Sequence, residues 1–193
     1  MSKEHLSAFF YNTNLVSLST AKAIAGRFEH KTISKNHFFL AEDMIADEYL
    51  FLDEGYMRAF AFDIDGNEIT TNFYRPGDMV FEVASFFNRT RSKENIQALT
   101  DCEGWFITYK QLNDLFHSLP EFREFGRAML VRGFAQLKSR MLSTITEPAE
   151  ERYAALLKTN PEIFQHAPLK NIATYLGITD TSLSRIRAAL SKK

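Results

Sequence analysis

The residues best placed to do chemistry lie near the end of the chain, in Ile172-Ala173-x-x-Leu176-Gly177-Ile178-Thr179-x-x-x-Leu183-Ser184-Arg185-Ile186. Leu183, Ile186 and Leu190 recur at three- and four-residue steps and supply one buried helix side. Asp180, Thr181, Ser182, Ser184, Arg185 and Arg187 are left outward or along the flanks. Hydroxyls and backbone amides near a helix start can meet phosphates, and an arginine fork matches guanine O6 and N7. From His166 onward five cations (Lys170, Arg185, Arg187, Lys192 and Lys193) face Asp180 alone, although the whole chain carries a formal charge of -1. The basic charge is concentrated where a nucleic-acid contact would need it.

Other chemistries lack their residues. The five histidines, His5, His30, His37, His117 and His166, are scattered without a His-x-His pair, which argues against a cupin-like metalloenzyme. Neither a catalytic residue set nor a metal site is expected. Cys102 is the single cysteine, which excludes an intrachain disulfide and a cysteine-based zinc site. It reads as a small buried strand residue in a reducing compartment. No phosphate loop, nucleophile elbow or zincin motif occurs. The opening MSKEHLSAFFYN lacks a continuous apolar signal region, and no apolar run reaches about 18 residues. The expectation is a cytoplasmic protein without a membrane partner.

Three zones must position the terminal helices. From His30 to about Thr108 the pattern is short and β-like: "EYLFL", "YMRAFAFDI" and "EITTNFY", punctuated by Glu54-Gly55 and Asp65-Gly66. That punctuation predicts hairpins, and the absence of intervening helices predicts an antiparallel barrel or sandwich. Both alternating sets in Met57–Phe62 contain apolar residues, which predicts strands covered on much of both faces. From Pro120 to Ile145 the period becomes helical, over about 26 residues or roughly 39 Å. Its stripe, Phe122, Phe125, Met129, Phe134, Leu137, Met141 and Ile145, is wide enough to cover the barrel and a second copy. Glu147-Pro148 ends it, and a small helical zone follows. There Gly177 permits the left-handed turn, Ile178 plugs the space between the helices, and Thr179 caps the next one.

This order of parts resembles the Crp/Fnr family of bacterial transcription regulators, most closely in Ile172–Ile186 and from Gly55-x-x-Arg58 through Gly77-Asp78 to Glu82. The resemblance implies an α+β fold in three parts. These are a cyclic-nucleotide-binding-like β jelly roll over residues 1–119, a dimerisation helix over 120–147 and a (winged) helix-turn-helix over 148–193. It implies a homodimer on double-stranded DNA, with RNA polymerase as a further partner and an unidentified small-molecule effector. Arg185 falls on the family's DNA-reading arginine, Asp180 and Thr181 on the contacts at the helix start. Lys170, Thr179, Ser182, Ser184 and Arg187 complete the expected DNA-binding set. Phe122, Phe125, Met129, Phe134, Leu137 and Met141 form the expected dimer interface. Little sequence after Leu190 is left for a wing.

The family's nucleotide site carries Gly-Glu, whose amides hold the phosphate, and a later Arg-Ser. Here Phe81 precedes Glu82, and Ser92 and Lys93 stand where Arg-Ser would, with Arg89 and Arg91 as possible substitutes. Phenylalanine at the glycine position crowds a phosphate, and losing the guanidinium removes the best anion partner. The expected ligand set is therefore Phe81, Glu82, Arg91, Ser92 and Lys93, with no cofactor and cyclic nucleotide disfavoured. The rival reading is a signalling module whose helix pair docks a protein.

Overall fold

Two four-stranded antiparallel sheets face each other in the computed structural model, which describes residues 2–190. The strands are β1 (Glu29–Ile33), β2 (Phe38–Leu40), β3 (Glu48–Glu54), β4 (Met57–Phe62), β5 (Glu68–Tyr74), β6 (Met79–Val80), β7 (Asn95–Ala98) and β8 (Cys102–Thr108). One sheet runs β1-β8-β3-β6 and the other β2-β7-β4-β5, so the chain crosses repeatedly between layers, as in a jelly roll. Leu52, Met57, Ala59, Val80, Ile96 and Ile107 are buried in the core around them.

The two glycine turns expected to make hairpins do different things. Asp65-Gly66 closes a hairpin, with β4 and β5 paired from Met57↔Tyr74 to Phe62↔Glu68. Glu54-Gly55 does not: β3 and β4 lie in different sheets, and Gly55 carries the chain across the corner. At φ +92° a Cβ there would stand 2.5 Å from the Asp101 carbonyl and 2.7 Å from Cys102 Sγ. The glycine serves a close backbone approach as well as a turn. Cys102 is buried beside it, and burial pushes its thiol pKa up.

Helices α1 (Glu4–Tyr11) and α2 (Leu18–Gly26) precede the barrel; the short α3 (Val83–Asn88) lies between β6 and β7; α4 (Tyr109–Ser118) and α5 (Pro120–Thr146) follow β8. The first turns of α5 belong to the barrel. Phe122 and Phe125 are each 1% exposed, with the Phe125 ring 5.0 Å from Phe10. Met129 packs against the same core. Phe122 and Phe125 therefore leave the expected dimer interface: their own fold already covers them. Gly126 makes this possible, since a Cβ there would meet the Phe116 ring at 2.4 Å.

Beyond Met129 the environment of α5 changes. Through residues 130–146 only Arg140 and Ser143 are half-buried, and the rest are exposed. Phe134 (69%), Leu137 (63%), Met141 and Ile145 lie bare at three- and four-residue steps, flanked by Leu130, Val131 and Leu142. A helical arm with so little packing is marginal in water, and Gly133 within it weakens it further.

Four helices follow among the described residues: α6 (Ala149–Thr159), α7 (Ile163–His166), α8 (Leu169–Tyr175) and α9 (Asp180–Leu190). They share a second core with the outer face of the β4–β5–β7 sheet, where Tyr56, Phe73 and Leu99 meet Tyr153, Ile163, Ile172 and Leu176. Met57 and Ala59 face the barrel core, while Tyr56 and Phe73 on the other face lie beneath helices.

Candidate nucleic-acid interface and barrel site

The turn between α8 and α9 is set by local bonds. Gly177 sits at φ +67°, the Ile178 N–H donates to Ala173 O and the Gly177 N–H to Thr174 O, each at 3.0 Å. This double closure of a helix end needs a residue tolerant of positive φ, hence the glycine. Thr179 then accepts the Ser182 N–H at 3.2 Å through its hydroxyl, which starts α9. Leu183 and Ile186 are buried in the helical core and fix how α9 is rotated.

Rotation decides what faces outward. Thr179, Asp180, Thr181, Ser184, Arg185 and Arg187 are exposed, Ser182 is half-buried, and Lys170 is exposed at the start of α8. Apart from Lys170, the sequence-derived set lies on α9 and its cap. Two guanidinium groups and four hydroxyls over two to three turns can contact phosphates and base edges together. Lys192 and Lys193, counted in the basic segment, lie outside the described residues.

The barrel set is not gathered in the same way. Glu82 turns back on its own helix: its carboxylate accepts from the Ala84 N–H at 3.0 Å and from the Ser85 N–H at 2.5 Å, capping α3. Amides that would be offered to a phosphate are already bonded to an anion of the chain. Phe81 packs on Tyr49, ring centroids 4.6 Å apart, and on Phe86 and Phe87. Ser92 is buried, and its hydroxyl donates to Glu94 O at 2.7 Å. Arg91 and Lys93 on either side are exposed. Arg89 is held by Asp47 and the Ala46 carbonyl, each at 2.7 Å. Burial raises the Glu94 carboxyl above its ordinary pKa; the charge of Glu82 adds to this and that of Arg140 opposes it. Asp78 is likewise raised by burial. Burial thus disfavours the charged forms of both Asp78 and Glu94.

Two histidines that look unrelated in sequence come together. His5 and His30 line one open cavity of about 250 Å³ with Asp53, Glu54 and Glu103. His5 Nδ1 lies 2.8 Å from Asp53, whose hydrogen bond raises the imidazole pKa. The pairing spans 48 positions, and no local pattern announces it. A second contact invisible in sequence is Arg140, which joins α5 to Thr71 O of β5 and to Tyr175 O of α8.

Residues 30–118 match the family model of the cyclic nucleotide-binding domain. Around it the chain has the Crp/Fnr fold. FixK2 from Bradyrhizobium japonicum superposes with TM-score 0.71 at 20% identity, over 86% of this chain and 85% of that one. The c-di-GMP responsive global regulator CLP of Xanthomonas campestris gives 0.71 at 15%, over 91% and 92%. A structure described as a transcriptional regulator of the crp/fnr family, from Eubacterium rectale, gives 0.72 at 16%, over 95% and 87%. Among curated proteins, none matches this chain. No helix among the described residues is long and apolar enough to cross a membrane.

Proposed function

We propose that the chain is a homodimeric, sequence-specific transcription regulator of the Crp/Fnr type. Two copies pair along the bare half of α5 and present two α9 helices to successive major grooves. The observation that carries the reading is the exposed face of α9, with Thr181, Ser184 and Arg185 outward while Leu183 and Ile186 are buried. A twofold dimer reads an inverted repeat with half-sites about 34 Å apart. Arg185 is the base-reading side chain, and Lys170 is a phosphate contact. The barrel is a scaffold or a sensor for something other than cyclic nucleotide, because Glu82 caps α3 and Phe81 fills the glycine position.

The test is selection of duplexes from a randomised pool, followed by gel-shift titration against salt. Affinity is expected to fall steeply with salt, as phosphate contacts require. Arg185→Ala should relax base preference by about 1–3 kcal/mol at one position per half-site, whereas Lys170→Ala should weaken all sequences alike. Recovery of no duplex at low ionic strength, or equal losses for both variants on selected and random DNA, refutes the reading.

A further inference from the structure

Helix α8 ends with four carbonyls that its own turns cannot satisfy. The glycine turn takes those of Ala173 and Thr174 through the Ile178 and Gly177 N–H groups. The next two are taken from far away. Arg152 of α6 donates to Leu176 O through Nη2 at 2.9 Å and Nε at 3.3 Å. Arg140 of α5 donates to Tyr175 O through Nη2 at 3.4 Å and lies 3.9 Å over the Tyr175 ring. Cations at this end also suit the helix dipole.

Arg140 does more than cap. Its Nη1 donates to Thr71 O. Along β4–β5 Ala59 pairs with Asn72 and Phe60 with Thr70, so Thr71 is the extra residue of a bulge. The bulge breaks the ladder where the guanidinium arrives. Beside it the Tyr175 ring packs on Phe73 of β5 at 5.0 Å, and the Thr70 N–H donates to Thr174 Oγ1 at 3.1 Å. Arg140 is one of two half-buried residues in an otherwise bare stretch of α5, and it is the one that reaches β5. On the barrel side its charge acts on Glu94, which in turn feels Glu82.

We infer that Arg140 is the positioning residue of α9: one guanidinium ties the long helix, the β5 bulge and the last turn of α8, and so sets where α9 stands relative to the dimer axis. A displacement of the barrel corner or of α5 is then carried to the turn at Gly177 without passing through the α5–α6 linker. The forked shape is essential, because a single ammonium cannot hold two carbonyls and cover a ring at once. The inference rests on the reading of α9 as the DNA-contacting helix, and its test has one arm that needs no DNA.

In that arm, backbone amide exchange is followed in the full chain for wild type, Arg140→Met and Arg140→Lys. Exchange at Leu176–Ile178 is expected to rise about tenfold in both variants, the equivalent of one lost charge-assisted hydrogen bond. Amides of Phe51 and Leu52 in the barrel core should not change. In the second arm, the half-site recovered by selection is placed in duplexes at the preferred spacing and displaced by about 5 base pairs, half a helical turn. Wild type should discriminate between the two at least about tenfold, and Arg140→Met should narrow that gap to about threefold. Unchanged exchange, full rescue by Arg140→Lys, or an unaltered spacing preference overturns the inference. If Arg140→Met does not fold, Tyr175→Leu removes the stacked ring and serves the same two measurements. A wild-type chain that selects no duplex refutes the regulator reading, and amide exchange alone then decides the role of Arg140.

Discussion

Leu137→Ala tests the pairing of two chains along α5 most directly. Leu137 is 63% exposed in the single chain, so most of its side chain is available to a partner. The substitution removes three carbon atoms, worth about 0.8 kcal/mol each when wholly buried; scaled by the exposed fraction, that is about 1.5 kcal/mol per protomer. A twofold seam loses it twice, about 3 kcal/mol per dimer, or roughly a hundredfold in the dissociation constant. Alanine keeps the helix intact, so the loss belongs to association and not to helix formation. Sedimentation velocity from nanomolar to micromolar chain concentration measures the shift. Arg132→Ala, on the opposite side of the same helical stretch, is the control and should leave the constant unchanged. A wild-type chain that stays monomeric at tens of micromolar, or a Leu137→Ala constant equal to wild type, refutes the argument.

Two further outcomes concern the barrel. Titration calorimetry with cyclic AMP should show no saturable heat, and saturable binding at or below about 100 µM, near -5.5 kcal/mol, would contradict the closed cradle at Phe81 and Glu82. Glu94→Gln should stabilise the chain at neutral pH, because the carboxyl's folded pKa lies above its unfolded one. A group raised in this way favours folding below its unfolded pKa, and that contribution is lost as pH rises through the folded value. The advantage of the variant over wild type in urea unfolding should therefore be largest at pH 7.5 and fade toward pH 4. A difference that does not change with pH would remove the electrostatic explanation.

Much of the terminal helix pair was legible before the structure. A turn at Gly177, a cap at Thr179 and a buried Leu183–Ile186 side depend on neighbours within one or two helical turns, and periodicity reports those. Of the expected DNA-contact set, all but the half-buried Ser182 are exposed. The barrel site was legible in part. Phe81 stands in the sequence where the family carries glycine, but the bonding of Glu82 to the Ala84 and Ser85 amides is a matter of side-chain direction. The wide stripe of α5 implies two surfaces, the barrel and a second copy, but not where one gives way to the other: Phe122 and Phe125, expected at the dimer interface, belong to the barrel, while Phe134, Leu137 and Met141 remain bare. Periodicity identifies an apolar face without saying what covers it.

By itself the chain determined its long helix, its β-rich segment and its closing pair of short helices bent at Gly177, because each follows from propensity, capping and spacing over a few residues. Tertiary structure alone decided that Gly55 crosses between sheets, that His5 and His30 share a cavity, and that Arg140 meets both Thr71 and Tyr175. Those contacts join residues tens of positions apart, where chain entropy gives no local preference and only packing chooses the partner.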